Sequence, residues 1–234
     1  MANSSALAPL CHAFVLHSRP YREKSRLVDI FTLEHGLIRG VMRQQIPPLF
    51  QPCVMAWRGK NPLKTISQCE SVGHPLVLEG NALFSGFYLN ELLVRLLADE
   101  ESHSELFVLY TQILAQLNTT TQLEPLLRRF ELCLLTALGY AINFTQDILV
   151  KPLLPLAYYQ YQLERGFIEV DDVSDGGWQG QYLLAIAAQD WTQAQTRQAA
   201  KYILRTALAA HLGNKPLKSR ELMTYAFPQK LVRI

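Results

Sequence analysis

A basic turn between two apolar runs is the first place in this chain where side chains could bind a charged ligand. Residues 13–40 read AFVLHSRPYREKSRLVDIFTLEHGLIRG, and the turn within them carries Arg19, Arg22, Lys24 and Arg26. Small β-barrels often use a cationic hairpin tip of this kind to meet a phosphate backbone. The alternative is a solvated tip whose charges only aid solubility.

A second basic cluster lies in residues 211–222, HLGNKPLKSREL, where one predicted helix ends and the next begins. The start of the new helix offers free backbone N–H groups and a positive dipole end, with cations and two leucines beside it. Such a site suits an acidic peptide that ends in an aromatic residue and a carboxylate. Cations of two other helices could join it, so the candidates are Arg128, Arg129, Arg205, Lys215, Lys218 and Arg220. The alternative is a capped helix junction with solvated lysines.

The sequence contains no motif for covalent chemistry. The six histidines are scattered without HxxxH or HExxH spacing, and there is no GxxxxGK[ST] loop, GxSxG elbow or CxxC pair. We therefore expect a binding module and not an enzyme, with no catalytic residue, no cofactor and no metal site. The four cysteines are far apart and mostly within apolar runs, which favours reduced thiols and a cytoplasmic location.

The formal net charge of +2 conceals an uneven distribution along the chain. Residues 1–75 carry nine basic and four acidic side chains, residues 76–193 carry five and fifteen, and residues 194–234 carry eight and one. Two basic ends around an acidic middle predict two anion-binding surfaces. Alternatively, the ends fold back on the middle and neutralise it. No apolar run has the length of a membrane span, and no secretory signal is evident.

An acidic triplet, Asp99-Glu100-Glu101, follows directly on a predicted helix. The C-terminal end of a helix disfavours negative charge, so this position is unusual. The triplet either meets a basic partner or forms a solvated loop, and the solvated loop is the favoured interpretation.

The first 75 residues have the pattern of β-strands. Candidate strands cover 13–17, 26–33, 37–43, 49–57 and 63–69, with proline and glycine turns between them. Five short strands in about 70 residues fit a five-stranded Greek-key barrel of the OB type. Pro52 within the fourth run predicts an edge or a bulge there.

From about residue 79 the apolar residues recur with helical spacing. Helices are predicted to end near 97, 117, 138, 188, 212 and 226, with a small hairpin at 157–170. Thr121 and Glu124 resemble a capping box, Gly139 and Gly213 are expected to stop helices, and Ser219 is expected to cap the last helix. The fold class is therefore α+β with two domains: an OB-type barrel over 1–78 that carries the candidate nucleic-acid surface, and a larger, mostly helical domain over 79–234 that carries the candidate peptide site.

The ordered landmarks of the chain resemble the RecO recombination-mediator proteins. They are the segment at 13–40 quoted above, FSGFYLNELLVRLL, LRRFELCLLTALGY with INF after it, and GNKPLKSREL. No single motif is highly specific, but the ordered set covers nearly the whole chain. The lack of zinc-binding cysteine pairs is similar to the gamma-proteobacterial form of the family.

This resemblance implies a protein of DNA repair and homologous recombination that makes no covalent change. It implies binding of single- and double-stranded DNA, annealing of complementary strands, and help in loading RecA onto DNA coated by single-strand-binding protein. RecR is an expected partner, and the C-terminal tail of single-strand-binding protein is expected to dock on the helical domain. The resemblance thus implies protein partners and auxiliary DNA binding for the helical domain. The implied location is the bacterial cytoplasm, close to the nucleoid.

The residues of the first 75 positions that the resemblance assigns to DNA are basic and fall on the family's barrel. We expect phosphate contacts from Arg19, Arg22, Lys24, Arg26, Arg39, Arg43, Lys60 and Lys64. Tyr21, Phe50 and Trp57 are candidates for stacking on bases, although Trp57 could equally belong to the core.

One segment departs from the family pattern. RecO proteins usually carry a longer basic loop of the form KGARSKRS after the third strand, whereas this chain has GVMRQQIPP, in which only Arg43 is charged. Fewer cations mean weaker DNA binding with a flatter salt dependence. Two other hypotheses therefore stay open: a protein–protein adaptor with weak DNA binding, and an RNA-binding OB accessory factor. A hydrolase with an unrecognised acidic site is the least favoured.

Overall fold

A computed structural model describes residues 10–226 of the chain. The outer ends of the two predicted domains, 1–9 and 227–234, lie outside the described residues. Contacts group the described residues into two compact units, one formed by 10–121 and 216–226 and the other by 122–215. The first unit thus adds helices to the barrel, and the functional division at residue 78 stays a prediction.

The N-terminal part is the five-stranded closed barrel that the sequence predicts. Its strands are β1 (Cys11–Tyr21), β2 (Ser25–Thr32), β3 (Gly36–Met42), β4 (Cys53–Arg58) and β5 (Leu63–Ser71), in the order β1-β2-β3-β5-β4. All neighbouring pairs are antiparallel except β3 and β5, and β4 closes the barrel against the start of β1.

Alternation along the strands sends two sets of apolar side chains to opposite faces. Val15, Val28 and Ile30 belong to the fully buried interior cluster of the barrel. Phe14 and Phe31, on the other face, are buried as well because helices cover them. Both faces of β1 and β2 therefore carry core, which is why these runs read as nearly continuous hydrophobic sequence.

Three helices complete the first unit: α1 (Gly80–Leu96), α2 (Ser104–Leu117) and α6 (Lys218–Ala226). From α2, Phe107 lies 5.6 Å from Phe14 and Tyr110 lies 5.2 Å from it, measured between ring centroids. Asn90 of α1 donates a 3.0 Å hydrogen bond to the Leu16 carbonyl and accepts one of 2.6 Å from the Tyr110 hydroxyl. The helices α1 and α2 thus pack on β1 through aromatic contacts and through a buried series of hydrogen bonds from Tyr110 to Asn90 to the Leu16 carbonyl.

The second unit contains α3 (Leu123–Ala137), α4 (Gly180–Ala187), α5 (Ala194–Leu212) and a small sheet. The sheet has the order β7-β6-β8, with β6 at Tyr158–Gln162, β7 at Gly166–Val170 and β8 at Trp178–Gln179. The predicted hairpin is therefore present and gains a third strand. Tyr159 and Phe167 are buried, and the Tyr159 hydroxyl accepts a 2.9 Å hydrogen bond from the Leu154 N–H.

Several local predictions about strand and helix ends need correction. The fourth strand begins at Cys53 and not at 49, because Phe50 has a positive φ of 65° and turns the chain first, and the bulge falls at Ala56–Trp57. No capping box forms at Thr121, since α3 is preceded by Gln122 without a side-chain cap. Helix α3 ends at Ala137, two residues before Gly139, which has the positive φ expected of a stop.

Candidate nucleic-acid interface

The tip of the β1–β2 hairpin is a turn of three charged residues. The ladder runs from Ala13↔Thr32 to Tyr21↔Ser25, which leaves Arg22, Glu23 and Lys24 in the turn. Arg22 has a positive φ of 54°, and the Ser25 hydroxyl donates to the Tyr21 carbonyl across the turn. The strands therefore hold these side chains at a fixed place beyond the end of the ladder.

A cavity of about 330 Å³ lies beside this turn, and four of its five charged lining residues are cationic. Arg43 reaches it because β2 and β3 pair Arg26 with Met42, which brings the end of β3 next to the hairpin. Its lining includes four of the eight predicted DNA-binding residues, Arg22, Lys24, Arg26 and Arg43, with one carboxylate, Glu23. We call these four residues, together with Arg19, the hairpin-tip cluster.

The cations of the hairpin-tip cluster are exposed and pair with no carboxylate of the described residues. The Arg22 guanidinium lies 5.1 Å from the centroid of the Tyr21 ring. Arg26 donates hydrogen bonds to the hydroxyl and carbonyl oxygens of Ser18 at 3.1 and 3.3 Å. These contacts orient the guanidinium groups without neutralising them, so the cluster retains its positive field.

Two other predicted cations lie on the edge formed by β3 and β5, and both are neutralised. The Arg39 Nε is 3.0 Å from the Asp99 Oδ1, and the Lys64 Nζ is 2.7 Å from the Glu100 Oε1. The Lys64 side chain is only 5% exposed, whereas that of Arg39 is 47% exposed. We call Arg39 and Lys64 the barrel-edge pair, and residues 99–101 the acidic segment.

The side chains of the acidic segment are exposed, as the favoured solvated loop predicts, but Asp99 and Glu100 also pair with cations. These cations belong to the barrel of the same chain and not to a separate basic partner. The unusual placement of three carboxylates after a helix was the signal that could have found this contact. Because Asp99 and Glu100 bind cations of the first 75 residues, the acidic middle neutralises part of the basic N-terminal region.

The remaining barrel candidates differ in accessibility. Lys60 is exposed in the turn between β4 and β5 and forms no ion pair with the described residues. Of the aromatic candidates, Phe50 is buried, while Trp57 is half-buried with its ring centroid 5.2 Å from that of His35. Tyr21, which is half-buried beside Arg22, is thus the aromatic ring closest to the hairpin-tip cluster among the three.

Comparison with known proteins places the whole chain in one family. The family model "Recombination protein O N terminal" matches residues 9–74, and "Recombination protein O C terminal" matches residues 78–221. The DNA repair protein RecO of Pseudomonas paraeruginosa is 46% identical over 215 residues, which cover 89% of this chain and 92% of the relative. That of Cellvibrio japonicus is 42% identical over 228 residues, 92% of this chain and 97% of the relative. The chain belongs to the RecO family.

Membership in the RecO family confirms the resemblance read from the sequence and its link to DNA repair and recombination. Family membership does not test which side chains bind DNA or a partner peptide. The predicted site residues therefore stay predictions, and the structure describes only their surroundings. Among residues 10–226, no group of three His, Cys, Asp or Glu side chains is arranged to hold a metal. None of the helices in that range has the length and hydropathy needed to cross a bilayer.

The RecO landmark GNKPLKSREL was expected to offer free N–H groups at the start of α6. In the structure, the Glu91 carboxylate of α1 already accepts the N–H groups of Lys218 and Ser219, each at 2.9 Å, and the Ser219 hydroxyl at 2.7 Å. The prediction that Ser219 caps the helix is wrong, because α6 begins at Lys218 and the cap comes from another helix.

The hydrogen bonds from α6 change the pKa of Glu91. Partial burial raises the pKa of its carboxyl, but the hydrogen bonds from Ser219 and Lys218 and the charge of Arg95 outweigh burial, so the pKa is lowered overall. Arg95 also donates a 3.1 Å hydrogen bond to the Pro216 carbonyl. Glu91 therefore stays ionised and stabilises the positive end of α6.

The six residues predicted to bind a partner peptide are divided between the two units. Lys218 and Arg220 belong to the first unit, where the Arg220 guanidinium lies 5.5 Å from the Tyr88 ring centroid. Arg128, Arg129, Arg205 and Lys215 belong to the second unit. Arg128 is buried and forms a 2.9 Å ion pair with Glu131 one turn along α3, whereas Arg205 and Lys215 are exposed.

Proposed function

We propose that this RecO-family protein binds single- and double-stranded DNA through the hairpin-tip cluster and acts as a mediator of homologous recombination. The observation that carries the proposal is the cavity lined by Arg22, Lys24, Arg26 and Arg43 on a barrel of OB topology. OB barrels bind oligonucleotides with the loop between their first two strands and with the face of strands two and three. The family supports DNA as the ligand.

The proposed mechanism is electrostatic and involves no covalent step, catalytic residue or cofactor. Exposed guanidinium and ammonium groups displace the counterions of phosphates, and the released ions drive binding. A protein that neutralises two complementary strands at once lowers the repulsion between them and so promotes their annealing. Since Arg39 and Lys64 are already paired and Arg43 is the only charge in the shortened loop, we expect affinity lower than in relatives with the longer basic loop.

The protein partners belong to the same proposal. We infer that the chain works with RecR, and that its helical part binds the acidic C-terminal tail of single-strand-binding protein, so that RecA is loaded indirectly. The occupied start of α6 argues for exposed cationic side chains over backbone N–H groups as tail contacts. Each unit carries such cations, Lys218 in the first and Arg205 and Lys215 in the second. The proposed place of action is the bacterial cytoplasm near the nucleoid.

The test is fluorescence polarisation with a labelled single-stranded oligonucleotide over a salt series, followed by a strand-annealing assay. The variant R22E/K24E reverses two charges of the hairpin turn and should lower affinity at 50 mM salt by more than about thirtyfold, since two favourable contacts become repulsive. Annealing should fall in parallel.

The matched control is K151E/R165E, which makes the same change in net charge at two exposed positions of the second unit. We expect this control to bind the oligonucleotide within about twofold of the wild type, because only local charge contacts a phosphate. An equal loss in both variants would mean that net charge and not the hairpin governs binding.

A protein–protein adaptor with weak DNA binding is the second candidate, and the neutralised barrel-edge pair favours it. An acidic peptide that ends in phenylalanine, as a mimic of the tail of single-strand-binding protein, distinguishes the two functions. The adaptor predicts that the peptide binds while wild-type protein ignores DNA at 50 mM salt. The mediator predicts that both ligands bind. An RNA accessory factor would prefer RNA when the two nucleic acids compete directly.

A further inference from the structure

The barrel-edge pair presents the chemistry of a phosphate site, but carboxylates occupy it. Asp99 faces the Arg39 guanidinium at 3.0 Å and Glu100 faces the Lys64 ammonium at 2.7 Å. These are the distances at which phosphate oxygens bind the same groups. On the barrel, Arg39 precedes Met42 by three residues, about 10 Å along the strand, and its exposed side chain is on the outer face of β3. Lys64 pairs with Gly40 and alternates with Ile66 of the interior cluster, so it is on the inner face.

The backbone of the acidic segment is held against the barrel at the same place. Leu37 of β3 and Asp99 form a parallel bridge, and the Glu100 N–H donates a 2.9 Å hydrogen bond to the Leu37 carbonyl. A Cβ atom on Gly36 would lie 1.7 Å from the Glu101 carbonyl oxygen, so only glycine permits this approach. The segment occupies the stretch of β3 that precedes the first β5 partner, Leu63.

Strain in the segment indicates that its position is imposed by these contacts. Glu100 has a positive φ of 63°, a conformation that L residues with long side chains rarely adopt. Such strain persists where the surroundings fix it and is frequent at functional sites. In this conformation the Glu100 carboxylate pairs with the Lys64 ammonium.

The two ion pairs differ in how readily a polyanion could replace them. Arg39 and Asp99 are both partly exposed, with 47% and 35% of their side chains accessible, and exposed pairs of this kind are weak and screened by salt. Lys64 is nearly buried, so its pair with Glu100 is firmer. If DNA bound at the hairpin-tip cluster extended along β3, its phosphate would therefore compete first with Asp99 for the Arg39 guanidinium.

We propose that the acidic segment acts as an internal competitor of DNA, because Asp99 occupies a phosphate position at Arg39 and thereby limits the DNA-binding surface to the hairpin tip. This inference rests on the proposed DNA binding and adds a regulation of it. Displacement of the segment extends the cationic surface along β3 and raises affinity for DNA.

The experiment compares Asp99→Asn with Glu101→Gln in the oligonucleotide assay over a salt series. Both variants remove one negative charge from the same segment, but the Glu101 side chain is exposed and pairs with no cation among the described residues. We expect D99N to bind single-stranded DNA roughly threefold to tenfold more tightly at 50 mM salt and to steepen the salt slope by about 0.7. E101Q should stay within about twofold of the wild type, as expected for a purely long-range effect.

If the wild type binds DNA and the two variants D99N and E101Q change its affinity equally, the inference is overturned while the proposed function stands. A folded D99N that binds no more tightly than the wild type would overturn it as well. If neither the wild type nor D99N binds DNA at 50 mM salt, the inference and the proposed function both fail.

Discussion

The hairpin-tip cluster and the barrel-edge pair are built from the same residue types on the same sheet, yet they meet different surroundings. In the hairpin-tip cluster, Arg22 and Lys24 project from the turn, with Arg22 beside the Tyr21 ring, and Arg26 of β2 contacts Ser18. All five cations of the cluster are exposed. The cations of the edge each meet a carboxylate within 3.0 Å. The difference comes from a segment about 60 residues beyond Arg39 in the chain, which contacts β3 through Leu37 and Arg39 and β5 through Lys64.

This comparison explains how charge on an OB barrel is divided between binding and stability. A cation that needs no counter-charge for folding, such as Lys24, is available to a ligand. A cation such as Lys64, with 5% of its side chain exposed, requires a partner in the folded state whether or not DNA is present. Four predictions test this division, beginning with the largest effect.

Neutralising the hairpin tip should remove most of the DNA affinity. The triple variant R22Q/K24Q/R43Q loses three phosphate contacts, and at about 0.7 per contact on single strands the salt slope should flatten by about 2. At 50 mM salt we expect affinity to fall roughly a hundredfold. Titration of a labelled oligonucleotide at four salt concentrations measures both quantities. The slope should stay unchanged in K151Q/R165Q, and a loss there would break the comparison.

Removing a carboxylate should affect stability at the edge and not at the tip. Glu100→Ala leaves the Lys64 ammonium buried without its partner, and because Glu100 is itself half exposed we expect a loss of about 1–2 kcal/mol, below that of a fully buried pair. Glu23→Ala, in the hairpin turn, should change stability by less than about 0.5 kcal/mol. Urea unfolding at pH 7 compares the two.

The additional variant K64M is the control for this assignment. In an E100A/K64M background no charge is left buried, so much of the stability lost in E100A should return. A double variant as unstable as E100A would mean that the acidic segment acts through its backbone bonds to Leu37 and not through the ion pair.

The N-terminal end of α6 is a third cationic region, and the Glu91 carboxylate of α1 binds it. The pKa of Glu91 is lowered in the folded protein, so the unfolded chain binds the proton first as the pH falls. The stabilisation is therefore complete above the ordinary pKa of 4.5 and is lost as the pH falls below it towards the folded value. Glu91→Gln should cost about 1 kcal/mol at pH 7 and progressively less below pH 4.5, which urea unfolding at pH 7 and pH 3.5 measures.

Glu105, an exposed glutamate of α2, provides the control for Glu91, since it makes no hydrogen bond with the described residues of α6. Glu105→Gln should give a stability difference from the wild type that is small at both pH values. A Glu91→Gln cost that is the same at pH 3.5 as at pH 7 would mean that the carboxylate charge is not what holds α6.

The regions also differ in how far the sequence alone could describe them. Period-two runs and turn residues were sufficient for the barrel, because local strand pairing and buried faces leave a direct pattern. The hairpin tip was predictable for the same reason, since Arg22 and Lys24 are adjacent to the turn that presents them. The partners of Arg39, Lys64 and the α6 N-terminus were not, because Asp99, Glu100 and Glu91 are distant in sequence and their contacts depend on tertiary packing.

Arg39 offers the smallest effect and the most direct test of the comparison. If Asp99 holds its guanidinium, Arg39→Gln alone should change single-stranded DNA affinity by less than about twofold, because a contact that is not made cannot be lost. In a D99N background the same substitution should remove the gain that D99N produces. The non-additivity of the two changes is the coupling that a double-mutant cycle measures, and residues in direct contact are expected to show it. Arg39→Gln lowering affinity as much as Arg22→Gln would place Arg39 with the hairpin-tip cluster, and the two regions would then form one continuous surface.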